Sequence, residues 1–141
     1  MLLLIRGLPG SGKSTYARNC IGDKPNCVII EADQYFMADG TYQFNRSKIP
    51  LAHKWCQEAA KRALLLNMSV YVCNTFTTGW EMDPYFQMAA KLNHDCKVTS
   101  LYDGGLSCNM LAERCIHGVP AEKILQMLER WQDIPGERRI W

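Results

Sequence analysis

Apolar positions gather into four short runs separated by longer amphipathic stretches. Leu2-Leu3-Leu4-Ile5, Cys27-Val28-Ile29-Ile30, Val70-Tyr71-Val72-Cys73 and Val98-Thr99-Ser100-Leu101 each have the length of a strand. The first three are almost continuously apolar, which marks strands covered on both faces, as in a parallel sheet flanked by helices. Between the runs the period changes to that of a helix. Ser14 to Cys20 predicts one helix, and Ser47 to Asn67 a second, with Leu51, Trp55, Ala59, Ala63 and Leu66 recurring on the face expected against the sheet. A third begins within Trp80–Tyr85 and carries the stripe Tyr85, Met88, Ala89 and Leu92. Strand–helix–strand alternation at this spacing predicts βαβ units and an α/β architecture. The fourth run is more polar and is expected nearer an edge.

After the turn Asp103-Gly104-Gly105 the pattern is helical again. A short helix is predicted over Asn109–Cys115 and another from Ala121 to about Trp131, with Ile124, Leu125, Leu128 and Trp131 facing inward. Gly118-Val119-Pro120 separates them: glycine permits a bend and proline suits a helix start. Two short helices joined this way predict a lid, about residues 109–120. Residues 39–45 read as a loop or short hairpin, and the tail, 132–141, is assigned no element.

With 141 residues the chain has room for one domain with its own core, residues 1–141. A net charge of +2 does not by itself argue for a nucleic-acid partner. The seven cysteines are scattered and form no C-x-x-C pair, so neither a zinc site nor a disulfide framework is indicated. Reduced thiols in a cytoplasmic protein account for them. Cys115 with His117, and His94 with Cys96, lack the further paired ligands that a metal site requires. The apolar start is too short for a signal peptide or a membrane span and is broken by Arg6, so no membrane association is expected.

The chemistry is concentrated after the first run. Gly7-Leu8-Pro9-Gly10-Ser11-Gly12-Lys13-Ser14-Thr15 reads G-x-x-x-x-G-K-S between a predicted strand and a predicted helix, the context a phosphate-binding P-loop requires. Glycines let the backbone wrap a polyphosphate where a Cβ would block close approach. The loop amides and the helix N-terminus supply positive potential. In such a loop Lys13 reaches the β- and γ-phosphates of ATP and the Ser14 hydroxyl holds Mg²⁺.

In parallel sheets ligands sit beyond the carboxyl ends of the strands. The second run ends in Glu31-Ala32-Asp33-Gln34-Tyr35, which places Asp33 at the same edge as the P-loop. There it can accept a proton from an attacking hydroxyl, or hold Mg²⁺ through water, or simply cap the next helix. Glu31 either supports Asp33 or faces solvent. The third run ends in Asn74-Thr75, also at this edge, and Asn74 offers hydrogen bonds where many P-loop proteins have a charged aspartate. Arg114 on the lid is placed to neutralise charge developing on a transferred phosphate, a surface salt bridge being the other reading, and Arg130, later on the second helix, is assigned to the nucleotide. Lys48, Lys54, Lys61 and Arg62 are expected on a solvated face.

The P-loop, Glu31-Ala32-Asp33-Gln34-Tyr35, and Arg114 followed by Gly118-Val119-Pro120 together resemble the kinase domain of polynucleotide 5′-hydroxyl kinases. More closely, the chain is similar to small phage and bacterial P-loop ATPase/kinase proteins of that superfamily. Asp39-Gly40-x-Tyr42-x-Phe44, Ala52-His53-x-Trp55, Asn74-Thr75-Phe76-Thr77 and Trp80-Glu81-Met82 fit that smaller group. The resemblance implies a P-loop NTPase fold of the kinase type: a three-layer sandwich with a central parallel sheet and a helical lid. It implies transfer of the ATP γ-phosphate, with Mg²⁺, to a hydroxyl, the 5′ end of RNA or DNA being the acceptor. Lys13, Asp33 and Arg114 then carry catalysis, Asp33 as general base, while Tyr35, Asn74 and Thr75 lie on the acceptor side. Two positions depart from the polynucleotide kinases, both at the acceptor. No arginine follows Asp33 closely, and Asn74 replaces an aspartate. A kinase of nucleosides or other small hydroxyl compounds, or an ATP-binding interaction module, are the alternatives. If a nucleic-acid end is the acceptor, Tyr35, Phe36, Tyr42 and Phe44 could stack its bases; local core packing is the other reading.

Overall fold

The computed structural model describes residues 1–37 and 40–140, so Asp39 of the motif above lies outside the described residues. The elements in chain order are β1 (Leu2–Gly7), α1 (Lys13–Ile21), β2 (Cys27–Ile30), α2 (Ile49–Leu65), β3 (Ser69–Asn74), α3 (Asp83–Lys91), β4 (Cys96–Tyr102), α4 (Cys108–Arg114), α5 (Ala121–Glu129) and β5 (Arg138–Arg139). Short 3₁₀ helices at Ala32–Met37, Arg46–Lys48 and Gly79–Met82 lead out of β2, into α2 and into α3. The sheet is parallel throughout, in the order β2-β3-β1-β4-β5.

The alternation of side chains along each strand divides the core in two. Leu2, Leu4, Val70 and Val72 point to one face, where α2 and α3 bring Cys56, Ala60, Leu64, Tyr85 and Ala89 against them. Ile5, Tyr71 and Cys73 point to the other, against Ala17 of α1. A third cluster, Leu8, Leu111 and Ile124, joins the P-loop to α4 and α5. Fully burying each of these aliphatic side chains contributes roughly 1.5–3 kcal/mol, so both faces are needed to hold the sheet.

Helices α2 and α3 end alike. The amides of Asn67 and Met68 close back on the carbonyls of Leu64 and Ala63, and those of Asn93 and His94 on Ala90 and Ala89. Asn67 and Asn93 are left-handed at φ 57° and 58°. This is the Schellman ending, with asparagine taking the position that glycine usually fills. Each turns the chain directly into the next strand.

Two expectations are corrected. The buried face of α2 is Ala52, Cys56, Ala60, Ala63 and Leu64, whereas Leu51 and Leu66 are exposed. Small residues let the helix lie close to the sheet, and the true face is centred about one residue from the one marked by the larger side chains. Leu125 of α5 is likewise exposed, with Ile124 buried beside it. Strand β4 lies next to one edge, and the tail supplies β5 outside it, pairing Thr99 and Ser100 with Arg138 and Arg139.

The tail is held by Arg6, whose side chain is fully buried. Its Nη1 donates to the Glu137 carboxylate at 2.9 Å and to the Gln132 carbonyl at 2.7 Å. Nε and Nη2 donate to the Phe76 carbonyl, and Nη2 also to that of Thr77. Its guanidinium lies 3.9 Å from the centre of the Trp131 ring. Burial pulls the Arg6 pKa below its ordinary value and Glu137 opposes that shift. One cation thus ties β1, the segment after β3, the end of α5 and the tail together.

Candidate active site

Residues 7–15 connect β1 to α1 at the carboxyl edge of the sheet, and the backbone there has no room for side chains at two points. A Cβ on Gly7 would stand 2.4 Å from Ser11 Oγ, and one on Gly10, at φ 81°, 2.3 Å from the carbonyl oxygen of Leu111 in α4. The loop is therefore packed directly against the lid. Gly12 caps α1, which begins at Lys13. Lys13 Nζ donates to the carbonyls of Gly7 at 2.8 Å and Leu8 at 3.1 Å. Burial lowers its pKa, while Glu31 and Asp33 pull it back up. Ser11 Oγ is buried with no hydrogen-bond partner, a polar atom that a phosphate oxygen would satisfy.

Across the loop, the Ser14 hydroxyl donates to the Glu31 carboxylate at the end of β2. These are oxygen donors of the kind Mg²⁺ takes, so the residues present fit that ion. The Ala32 amide donates to Asn74 Oδ1 at 2.9 Å, which fastens the 3₁₀ turn bearing Asp33 to the end of β3. Asn74 therefore holds Asp33's turn with its amide oxygen, and its Nδ2 faces the Cys56 thiol at 4.0 Å. The Thr75 carbonyl accepts from the Gly7 amide at 3.3 Å.

Asp33 is half-exposed. Its Oδ1 accepts from the Tyr42 hydroxyl at 3.4 Å, and its Oδ2 lies 3.4 Å from His117 Nε2. The Tyr42 and His117 rings stack with centres 4.2 Å apart. Burial, reinforced by the negative charge of Asp33, pushes the Tyr42 phenol up to about 12. From the lid, Arg114 reaches back over the loop: a Cβ on Gly12 would be 4.0 Å from its Nη2. Arg130 instead donates from Nε to Thr77 Oγ1 at 3.2 Å, on the segment after β3. Tyr35 stands on Asp33's own turn, edge-on to Phe36 at 5.5 Å.

The structure thus gathers Lys13, Ser14, Asp33, Asn74, Thr75 and Arg114 around one loop. Sequence reasoning missed two parts of the arrangement. Glu31 faces Ser14, and its position at the carboxyl end of β2 was the available signal. His117 crosses to Asp33 from the lid, and nothing in local spacing announces a contact spanning 84 positions.

A P-loop between a parallel strand and a helix, a carboxylate at the neighbouring strand end, and helices over the loop define a P-loop kinase-like α/β protein. The chain belongs to an AAA domain family, whose profile matches residues 2–102. It is 42% identical over 136 residues to human NEDD4-binding protein 2; that match covers 94% of this chain but 8% of the relative, so the chain spans a small part of it. Among solved structures, a chain of the Pnkp1/Rnl/Hen1 RNA repair complex superposes with a TM-score of 0.72 at 20% identity, over 92% of this chain and 43% of that one. A gluconokinase from Sinorhizobium meliloti superposes with a TM-score of 0.59 at 22% identity, over 98% and 79%. These structural likenesses establish the kinase-type fold. Among the described residues, no helix is long and apolar enough to cross a membrane.

Proposed function

We propose that this chain is an ATP-dependent kinase that transfers the γ-phosphate to a hydroxyl, the acceptor being the 5′-hydroxyl end of RNA or DNA. The observation that carries the reading is the placement of Asp33. Its carboxylate is half-exposed at the carboxyl edge of the sheet, on a turn fastened by Asn74, beside the P-loop and beneath the lid. A hydroxyl is a weak nucleophile, and a carboxylate within hydrogen-bond reach can take its proton as the new P–O bond forms.

The other residues then have definite tasks. The amides of residues 7–15 and the Lys13 ammonium hold the phosphates. Lys13 needs only to swing from its contacts with the Gly7 and Leu8 carbonyls. Ser14, oriented by Glu31, would hold Mg²⁺, and that ion would neutralise charge on the phosphates. Arg114 offsets the charge that develops on the transferring group, an effect of the kind worth about 10²–10³ in rate. Asp33 keeps its proton-accepting oxygens oriented through Tyr42 and His117, both of which an acceptor hydroxyl displaces. Arg130, at the end of α5, braces the segment after β3 through its bond to the Thr77 hydroxyl.

A fold shared with a chain of an RNA repair complex supports a polynucleotide acceptor. The gluconokinase neighbour favours a small hydroxyl compound as the second reading. Incubation with ATP labelled at the γ-phosphate and a panel of 5′-hydroxyl RNA, 5′-hydroxyl DNA, nucleosides and sugar acids separates them. Label at an oligonucleotide 5′ end supports the first reading. Label on a small compound alone establishes the second.

A further inference from the structure

Against the 3₁₀ helix that carries Asp33, an open cleft of about 680 Å³ runs between Gln34, Tyr35 and Phe36 of that helix, residues 43–48 and Trp55 of α2. Its walls are the rings of Tyr35, Phe44 and Trp55. Tyr35 and Trp55 stand with centres 6.4 Å apart, and Phe44 packs edge-on to the buried Phe36 at 5.2 Å. Phe44 is 54% exposed, so a large apolar ring faces solvent where core packing does not need it. Of the polar residues at the rim, Gln34 is spent on the backbone of Ile29 and Glu31, and Asn45 on Ser47. Among the described residues, Gln43 and Lys48 have no side-chain partner and no acidic residue lines the cleft.

We propose that this cleft is a binding site for single-stranded nucleic acid, taking the nucleotides that follow the reacting 5′ end. The inference rests on the kinase reading for the position of that end. Four observations converge on one occupant. Gln34 and Tyr35 of the lining stand on the same 3₁₀ helix as Asp33, which brings the cleft within reach of the nucleotides that follow a hydroxyl at that carboxylate. Exposed aromatic rings stack bases of any identity. Among the described residues the one charge at the rim is the Lys48 cation, which suits a phosphodiester. The volume lies within the range of pockets that enclose a drug-sized ligand, which matches one or two nucleotides.

The test combines a length series with two surface variants. Acceptors are a nucleoside 3′-monophosphate and 5′-hydroxyl oligonucleotides of two, three and five residues, with one pentamer abasic at its second position. KM is expected to fall by about tenfold or more from the monophosphate to the pentamer, within the range for stacking one base, and the abasic pentamer to lose most of that gain. Phe44→Ala raises the pentamer KM about tenfold, leaving the KM for ATP and the KM for the monophosphate unchanged. Lys48→Gln raises it less and flattens its salt dependence. Both side chains are exposed, and the thermal midpoint of each variant checks the fold. Binding of a fluorescent pentamer is read separately by anisotropy on Asp33→Asn protein. If transfer to oligonucleotides occurs but KM is independent of length and of Phe44, the cleft proposal is overturned and the kinase reading stands. If no acceptor is phosphorylated yet the pentamer binds and Phe44→Ala abolishes binding, the cleft stands and the kinase reading fails. Neither transfer nor binding overturns both.

Discussion

Replacing Glu137 by Gln removes the carboxylate that is hydrogen-bonded to the buried Arg6. The two side chains are 0% and 1% exposed and 2.9 Å apart. Breaking a buried pair by removing one partner costs about 3–5 kcal/mol, because a charge is left uncompensated away from water. Arg6 retains the carbonyls of Phe76, Thr77 and Gln132 and the face of Trp131, so the lower end, about 3 kcal/mol, is expected. At roughly 2–4 °C per kcal/mol for a chain near this size, the thermal midpoint falls by about 6–12 °C. Urea unfolding should show a lower midpoint at unchanged slope. Replacing both partners with apolar residues, Arg6→Met with Glu137→Leu, should recover part of the loss, since no unpaired charge remains. A single-variant loss below about 1 kcal/mol, the scale of an exposed pair, would refute the view that this cation organises the tail.

Four further outcomes follow from the site. Gly10→Ala should weaken ATP binding at least tenfold by calorimetry, because the new Cβ meets the Leu111 carbonyl; Gly22→Ala, also at positive φ but with open space around it, should leave ATP affinity intact. Glu31→Gln should raise the Mg²⁺ concentration needed for half-maximal activity by about 10–100-fold, as loss of a group orienting a metal ligand does; an unchanged requirement would remove Glu31 from the metal's surroundings. Tyr42 should ionise near 12 rather than near 10, so the stabilisation it lends the folded state is intact below pH about 10 and lost as the pH rises towards the folded value. Alkaline unfolding of Tyr42→Phe should accordingly be the less pH-dependent of the two proteins, and equal dependence would contradict the assignment. Finally, Lys13→Ala should lose ATP-dependent activity while keeping its thermal midpoint within a few degrees.

Much of this was legible in the sequence, for identifiable reasons. The strands announced themselves because burial on both faces leaves an uninterrupted apolar run, and the P-loop because a tight phosphate turn demands glycine at fixed spacing. Placing Asp33 and Asn74 at the working edge needed only the rule that parallel strands present their carboxyl ends together. What stayed hidden was set by packing or by distant contacts. Ala52 and Ala60 face the sheet through close approach, and a reading that follows large side chains selects Leu51 and Leu66. Arg6 looked like an interruption of an apolar run, yet its partner Glu137 lies in a tail whose local pattern forms almost no element. The His117 contact with Asp33 depends on where the lid closes, which no periodicity encodes.

The central claim is that Asp33 accepts the proton of a hydroxyl facing the P-loop. The most direct measurement is single-turnover transfer of labelled γ-phosphate to a 5′-hydroxyl oligonucleotide by wild-type and Asp33→Asn protein, with ATP binding measured on both. The account predicts equal ATP affinity, label at the 5′ end with the wild type, and a rate lower by about 10²–10⁴ in the variant. Transfer at an undiminished rate by Asp33→Asn, or tight ATP binding with no label on any hydroxyl, would contradict it.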